Sequence, residues 1–420
     1  MRKIIVLFFI LLVVNTFAGD IYLSLRTENQ ELETRRQFVL LKKFEVDNPT
    51  QRKAEFHDLL FKKIHSNLNL CYEFKVDILD SILLANKPNF FKEIDYIVEP
   101  SVKYGTANTV EIKLQYAPEK ELILRKKYSL QNLDIMANLI CNDIYFNITG
   151  EEGYFTTKFA FAYEKTNKEI FIVDFNGKNL KRITRDNSIA ILPSWHPKKK
   201  ALLYTSYKNG NPDLFLIDTT SGETKVISSK QGLNISANFS PTGQEIALSM
   251  TFNGNSDIIL ASFEGQFLAK ITNNKWIDSS SAWSNDGSKI LFISDQTGIS
   301  QIYEKNLKTD QTRQLTFDKT FKDSVDYSPV KDEIVYSCLL ENKWDICRLD
   351  LKSKKIYRLT ENQGNNSNPS YAFDGRFLVF TSTRNGKREL FIMNNNGDNV
   401  RLVLPLSGSV FAPVWSPLYE

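Results

Sequence analysis

From Phe159 to the C-terminus, apolar residues come in short runs divided by turn formers, and one unit of pattern keeps returning. In one copy, Ala282-Trp283 ends a short strand and Ser284-Asn285-Asp286-Gly287 forms a turn. Ile290–Ile293 is then an apolar, β-branched strand. The turn has relatives at Ser240-Pro241-Thr242-Gly243, Ser328-Pro329-Val330-Lys331 and Ala372-Phe373-Asp374-Gly375. Pro pre-sets φ at the second turn position, and Gly supplies the positive φ from which the next strand starts. A third strand, Asp213–Asp218, has equivalents at Glu169–Asp174, Asp257–Ser262, Gln301–Asn306, Asp345–Asp350 and Glu389–Asn394. Turns such as Asn176-Gly177 and Asn396-Gly397 lead to a fourth strand. The second and third strands are apolar on both sides, which predicts sheets covered on both faces.

The unit repeats every 44 residues, as the aromatic column Trp195, Phe239, Trp283, Tyr327, Tyr371, Trp415 shows. A second column, Thr184, Ser228, Thr272, Thr316 and Thr360, ends at Leu404. A period of about 40–45 residues is that of a propeller built from four-stranded blades. Each blade's two apolar faces must be covered by neighbours, so the array closes into a ring. The first copy lacks its opening strand, and Val414-Trp415-Ser416-Pro417 is an opening strand without the rest. The C-terminal strand is therefore expected to complete the first blade, giving six blades over residues 154–420. An open solenoid would leave a bare sheet edge instead.

Residues 36–150 read differently. Strands are expected at Arg36–Phe44, Ile94–Lys103, Thr109–Ala117 and Leu122–Tyr128, and helices from Asn48-Pro49-Thr50 to about Ser66 and over Leu130–Asn147. This predicts an N-terminal α/β domain ahead of the all-β six-bladed β-propeller.

The N-terminus carries Arg2 and Lys3, an apolar run from Ile4 to Val14, and small residues placed for a cut after Ala18. We read residues 1–18 as a signal peptide. The apolar run is short for a membrane anchor, the other reading. An exported, non-spanning mature chain follows. Lys and Arg number 53 against 49 Asp and Glu; without Arg2 and Lys3 the balance is 51 to 49. That near neutrality argues against nucleic acid as a partner.

Export permits disulfides among Cys71, Cys141, Cys338 and Cys347. If Asn342 and Lys343 form a two-residue turn, Cys338 faces Cys347 across a hairpin; two half-buried thiols are the alternative. Cys71 and Cys141 could meet only inside the first domain.

Three histidines, His57, His65 and His196, stand far apart or on a helix face. No Gly-x-Ser-x-Gly elbow occurs. Asp213, Asp257 and Asp345 recur at one repeat position, where a structural role outweighs carboxylate catalysis. No catalytic residue and no metal-ligand set is expected. A propeller enzyme, a polysaccharide lyase or a peptidase-associated propeller, is the rival reading.

With the repeat starts, Gly153-Tyr154-Phe155-Thr156-Thr157-Lys158-Phe159-Ala160-Phe161 and the terminal Phe411-Ala412-Pro413-Val414-Trp415-Ser416-Pro417-Leu418-Tyr419, nearly the whole mature chain resembles the TolB family, periplasmic components of the Tol-Pal system. It departs from that pattern at His196-Pro197-Lys198-Lys199 and at Pro329-Val330-Lys331. The resemblance implies a non-enzymatic periplasmic protein, peripheral to the envelope membranes. It implies two partners, the peptidoglycan-associated lipoprotein Pal at the propeller mouth and the inner-membrane protein TolA at the mature N-terminus. It also implies a role in outer-membrane integrity and in invagination at cell division. No cofactor is expected, and a calcium ion in the axial channel stays open. For TolA, the segment 19–35 offers Ile21, Leu23 and Leu25 alternating with Tyr22 and Ser24, read as an unpaired strand or as an edge strand of the first domain. For Pal, chain entry and exit put the first domain on the face of the Ser-Pro-Asp-Gly-like turns. The opposite face is then free, with Leu233, Asn234, Ser236, Trp276, Asp278, Ser279, Phe321 and Asp323 as candidate contacts.

Overall fold

The computed structural model describes residues 22–24, 36–44, 51–79, 93–104, 109–130, 132–252 and 254–419. The expected signal peptide and cleavage position at Ala18 lie outside the described residues.

Strand β1 is Tyr22–Ser24, discussed below. The N-terminal domain follows as β2 (Gln37–Lys42), α1 (Gln51–Leu68), β3 (Phe74–Leu79), β4 (Tyr96–Lys103), β5 (Thr109–Tyr116), β6 (Glu121–Ser129) and α2 (Leu133–Thr149). Its sheet runs β3-β2-β4-β5-β6, with β2 parallel to both neighbours and the rest antiparallel. Strand β3 is missing from the sequence reading. It alternates Phe74 and Val76, buried, with the exposed Lys75. Asn132 sets the start of α2 by accepting N–H bonds from Asp134 at 2.9 Å and Ile135 at 3.3 Å. Gly150, at φ 77°, closes it with a bond to the Phe146 carbonyl. Both helices pack on one sheet face, where Leu60, Ile64, Met136 and Ile140 join Val39 and Leu41 in one core.

The propeller has six blades. Its inner strands are Ser409–Trp415, Ala190–Trp195, Asn234–Phe239, Asp278–Trp283, Lys322–Tyr327 and Asn366–Tyr371. Second and third strands such as Ala201–Ser206, Phe377–Ser382 and Glu389–Asn394 are buried throughout. That is why their sequences do not alternate. The outer Thr224–Ser228 is mostly exposed.

Both sequence columns have a physical cause. Thr184, Thr272, Thr316 and Thr360 accept the N–H of Ile170, Ile258, Ile302 and Ile346 at 2.9–3.0 Å, tying each fourth strand to its third. Thr360 also donates to Asp345 at 2.9 Å. Leu404 cannot do this and instead joins the core shared with the first domain. In the aromatic column, Trp283 reaches back to the preceding blade, donating to the Asn238 carbonyl at 3.1 Å.

The ring closes as expected. Ser409–Trp415 pairs antiparallel with Lys158–Glu164, and Ser416 N–H bonds the Lys158 carbonyl at 2.8 Å. Trp415 is 5% exposed, edge-on to Phe159 and stacked near Phe377 of the last blade.

Cys338 and Cys347 form a disulfide. The register differs from the one expected, because Leu340 pairs with Lys343. The turn is therefore Glu341-Asn342, with φ of 52° and 62°. Two positive φ values make a hairpin turn whose twist matches the strands. Cys338 sits opposite Asp345 and reaches Cys347 diagonally along one sheet face. Cys71 and Cys141 are buried free thiols of the first domain's core.

The first domain sits on the turn face, over the first and last blades. Tyr154 packs against Phe175 and Phe377. Asn176 donates to Asn67 at 2.9 Å. Arg376, in the last blade's turn, donates to the Tyr145 hydroxyl and the Glu152 carbonyl at 2.6 Å and pairs with Glu151.

Candidate functional site

The face away from the first domain is built from loops that join a fourth strand to the next blade's first, and from second-to-third-strand turns. One position there repeats in hydrogen bonding as well as in number. The carbonyls of Ile189, Leu233, Ile277, Phe321 and Asn365 accept the N–H of Tyr207, Thr251, Asp295, Leu339 and Thr383 at 2.9–3.4 Å. The N–H groups of Leu233 and Ile277 are taken by Thr251 at 3.1 Å and Asp295 at 2.8 Å. The backbone is thus satisfied locally, and the side chain is left outward.

In four successive blades that outward side chain is large and apolar. Ile189 is 44% exposed, Leu233 36%, Ile277 57% and Phe321 46%. Phe317, 59% exposed, adds to the arc. Exposed apolar residues scattered singly need no explanation, but these recur at one structural position in four blades.

Inside the arc lies the axial channel. All six inner strands bulge at one point, and the bulge residues Leu192, Ser236, Ser280, Ser324, Asn368 and Ala412 take φ of 45–55°. Left-handed backbone at non-glycine residues is uncommon, and here it recurs at every blade. The bulges turn a mixed lining to the channel, hydroxyl and amide groups at Ser236, Ser280, Ser324 and Asn368 and apolar ones at Leu192 and Ala412, around a cavity of about 130 Å³. Side chains link blade to blade across it. Ser194 donates to Asn238 at 3.0 Å, Asn238 to the Ser281 carbonyl at 2.6 Å and Asn368 to Ser324 at 2.7 Å.

The eight residues expected at this face separate by burial. Leu233 and Phe321 lie in the arc, Asp323 is exposed beside it, and Ser279 is half-buried. Trp276 is half-buried with the Lys275 ammonium over its ring. Ser236 lines the channel. Asn234 and Asp278 are out of a partner's reach. Asn234 is fully buried and spends its amide on the carbonyls of Pro212, Lys230 and Gly232. Asp278 is fully buried, accepts from Asn274 at 2.8 Å, and has its pKa raised by that burial. Polar residues at strand starts fix their own loops. Ile189 and Ile277 are absent from the sequence reading, although the 44-residue column contains them.

The segment expected to reach a second partner is not unpaired. Tyr22–Ser24 runs parallel to Ile356–Arg358, the outer strand of the fifth blade. Nor does it join the first domain. A blade's outer strand presents free N–H and C=O groups, and an extended segment satisfies them. Ile21 and Leu25 lie outside the described residues.

The histidines stay apart. His57 bonds the Tyr104 hydroxyl at 2.7 Å, His65 lies 3.0 Å from Asn69, and His196 accepts the N–H groups of Lys198 and Lys199 at 3.0 Å. Asp257 and Asp345 are held within their own blades by Lys270 and Arg358, each at 2.7 Å, and Asp213 by Asn211 at 2.7 Å. A calcium cage needs about 6–8 oxygens, usually with several carboxylates. The channel's lining has one, Asp326, which already accepts N–H bonds from Tyr327 and Tyr371. No group of three or more His, Cys, Asp or Glu converges among the described residues. The lining does not fit such a cage.

Residues 145–419 match the family described as the TolB beta propeller domain. Curated relatives named Tol-Pal system protein TolB include one from Geobacter sulfurreducens, 36% identical over 101 residues, which is 23% of each chain. Another, from Desulfotalea psychrophila, is 32% identical over 117 residues, 27% of each chain. These alignments span about a quarter of those relatives' length. Among solved structures, TolB from Acinetobacter baumannii superposes with a TM-score of 0.80 at 23% identity, over 91% of this chain and 97% of that one. A nidogen/laminin complex reaches 0.52 at 11% identity, over 62% of this chain and 98% of that one. Both likenesses concern the fold.

Proposed function

The chain belongs to the family of the TolB beta propeller domain, and from that premise we propose that it is a non-enzymatic protein of the bacterial periplasm that bridges two partners of the Tol-Pal system. One is the lipoprotein Pal, received on the face that the first domain leaves open. The other is TolA, engaged by residues 19–35. The bridge serves outer-membrane integrity and its invagination at division, and it works without a resident cofactor. No described helix is long and apolar enough to cross a membrane.

The observation that carries the Pal reading is the arc of Ile189, Leu233, Ile277 and Phe321, one position in four successive blades, set around the channel mouth. An apolar arc beside a channel mouth of mixed polarity suits a protein partner that presents apolar anchors around a hydrogen-bonding tip. The TolA reading draws support from Tyr22–Ser24, whose backbone already adds to a sheet edge in this chain. That is the mode by which an extended peptide joins a partner's sheet.

Capture tests both halves. The tagged mature chain, passed over detergent-solubilised envelope from a Tol-Pal-containing bacterium, is expected to retain Pal and TolA. Deletion of residues 20–26 is expected to remove TolA alone. Retention of neither protein by the intact chain contradicts the reading.

A further inference from the structure

Between the first domain and the propeller lies a second cavity, of about 430 Å³. Three cationic residues, Arg36, Lys75 and Arg401, line it, and none of its lining residues is Asp or Glu. The cavity is separate from the axial channel and from the apolar arc.

Arg401 is the residue that needs explaining. The propeller's other outer-strand arginines each meet a carboxylate in their own blade. Arg182 reaches Glu169 at 2.7 Å, Arg313 reaches Glu304 at 2.8 Å, and Arg358 reaches Asp345 at 2.7 Å. Of these, only Arg313 holds the same place in the 44-residue repeat as Arg401, and it faces Glu304 across the ladder, whereas the residue facing Arg401 is Ile392. Arg401 makes one long hydrogen bond, to the Phe175 carbonyl at 3.4 Å, and lies over the Phe175 ring at 4.6 Å. Among the described residues no carboxylate pairs with it. Burial pushes its guanidinium down to about 10, so it stays charged at neutral pH. A guanidinium is a planar fork of donors that matches a carboxylate or a phosphate. Arg401 is half-buried, and holding such a group partly out of water without an anion costs free energy that a bound anion would recover.

The surroundings extend the argument. Lys75 is exposed, with its ammonium 4.2 Å over the Phe38 ring, and Arg36 is exposed at the rim. The nearby Glu73 accepts from the Tyr145 hydroxyl at 2.7 Å through Oε1, and its buried Oε2 has no hydrogen-bond partner. One wall is apolar: Tyr72 packs edge-on against Phe377.

We propose that this interdomain cavity binds an organic anion, a carboxylate or phosphate carried on an aromatic or apolar group. The anion sits on Arg401 with Lys75 near it, and the apolar part lies against Tyr72 and Phe377. The cavity draws on both domains, so an occupant adds contacts between them and opposes their separation.

Calorimetric titration of the full mature chain with phenyl phosphate, benzoate and inorganic phosphate tests this. At least one aryl anion is expected to saturate at one site, at least about tenfold more tightly than inorganic phosphate, and to raise the melting temperature. The tighter of the two aryl anions identifies the acid group. Arg401→Gln is expected to weaken it at least about tenfold and Lys75→Ala by about threefold, the latter without changing the melting temperature of the unliganded protein. Failure of both aryl anions to saturate in the millimolar range overturns the proposal, and so does inorganic phosphate binding as tightly as they do. Unchanged affinity in Arg401→Gln also overturns it. Should that variant not fold, unchanged affinity in Lys75→Ala does the same.

Discussion

The two faces of the propeller use the same repeat differently. On the turn face, one residue that departs from the repeat is spent inside the molecule. Arg376, where other blades have Gln244, Ser288 or Asp332, becomes a clamp on Tyr145, Glu151 and Glu152 of the first domain and its linker. On the open face, the position that keeps its hydrogen bonds from blade to blade carries Ile, Leu, Ile and Phe outward to solvent. That departure serves assembly of the chain, while Val330, a departure in another turn, stays exposed. The recurring apolar position on the second is left exposed. The comparison predicts that stability and partner binding respond to different faces.

The largest stability effect is expected where the ring closes. Trp415→Ala removes a buried indole between the first and last blades and its bond to Thr157 at 3.0 Å. It is expected to cost roughly 3–5 kcal/mol in chemical denaturation. An unchanged transition would mean the seam is not what holds the ring.

Next is the clamp. Arg376→Ala is expected to cost about 1–3 kcal/mol and to speed proteolytic cutting of the 150–157 linker. Ile277→Ser, on the open face, is expected to stay within about 0.5 kcal/mol of the parent. Equal losses in the two variants would erase the distinction between the faces.

The smallest effect concerns His196, which stands where other turns begin with Ser240, Ser284 or Ser328. Burial, and then the charge of Lys199, hold its pKa below the usual 6.5. The folded state therefore takes its proton later than the unfolded state does. The resulting stability is complete above pH 6.5 and drains as pH falls through the lowered value. His196→Ser is expected to lose less stability than the parent between neutral pH and mildly acidic pH. His57 and His65, also lowered mainly by burial, keep part of the slope in the variant. A steeper slope in His196→Ser reverses the sign and refutes this reading.

The propeller was legible because its signals are local and repeated. A buried aromatic and a buried threonine must recur wherever a blade meets its neighbour and its own fourth strand. Ring closure followed from two fragments that complete each other. Less local features were harder. The hairpin register at Cys338 depends on Glu341 and Asn342 both taking positive φ, which no glycine announces. Strand β3 has one short alternating run after a helix and no repeat to support it. The pairing of Tyr22–Ser24 with the fifth blade joins residues over 300 positions apart. At the candidate site, Leu233 and Phe321 were found by loop and residue type, while Ile189 and Ile277 needed the column to be followed past the strands. Asn234 and Asp278 misled because a polar residue beside a loop can serve that loop's own backbone.

The most direct test is a calorimetric titration of soluble Pal into the mature chain and two triple or double variants. In the first, Leu233, Ile277 and Phe321 on the open face are changed to Asp. In the second, the exposed turn residues Thr242 and Asn285 are changed to Lys. The open-face variant is expected to lose about 2–4 kcal/mol of binding, at least about thirtyfold in affinity, with its melting temperature kept, while the turn-face variant binds as the parent does. Loss of Pal binding in the turn-face variant, with the open-face variant unaffected, would contradict the assignment.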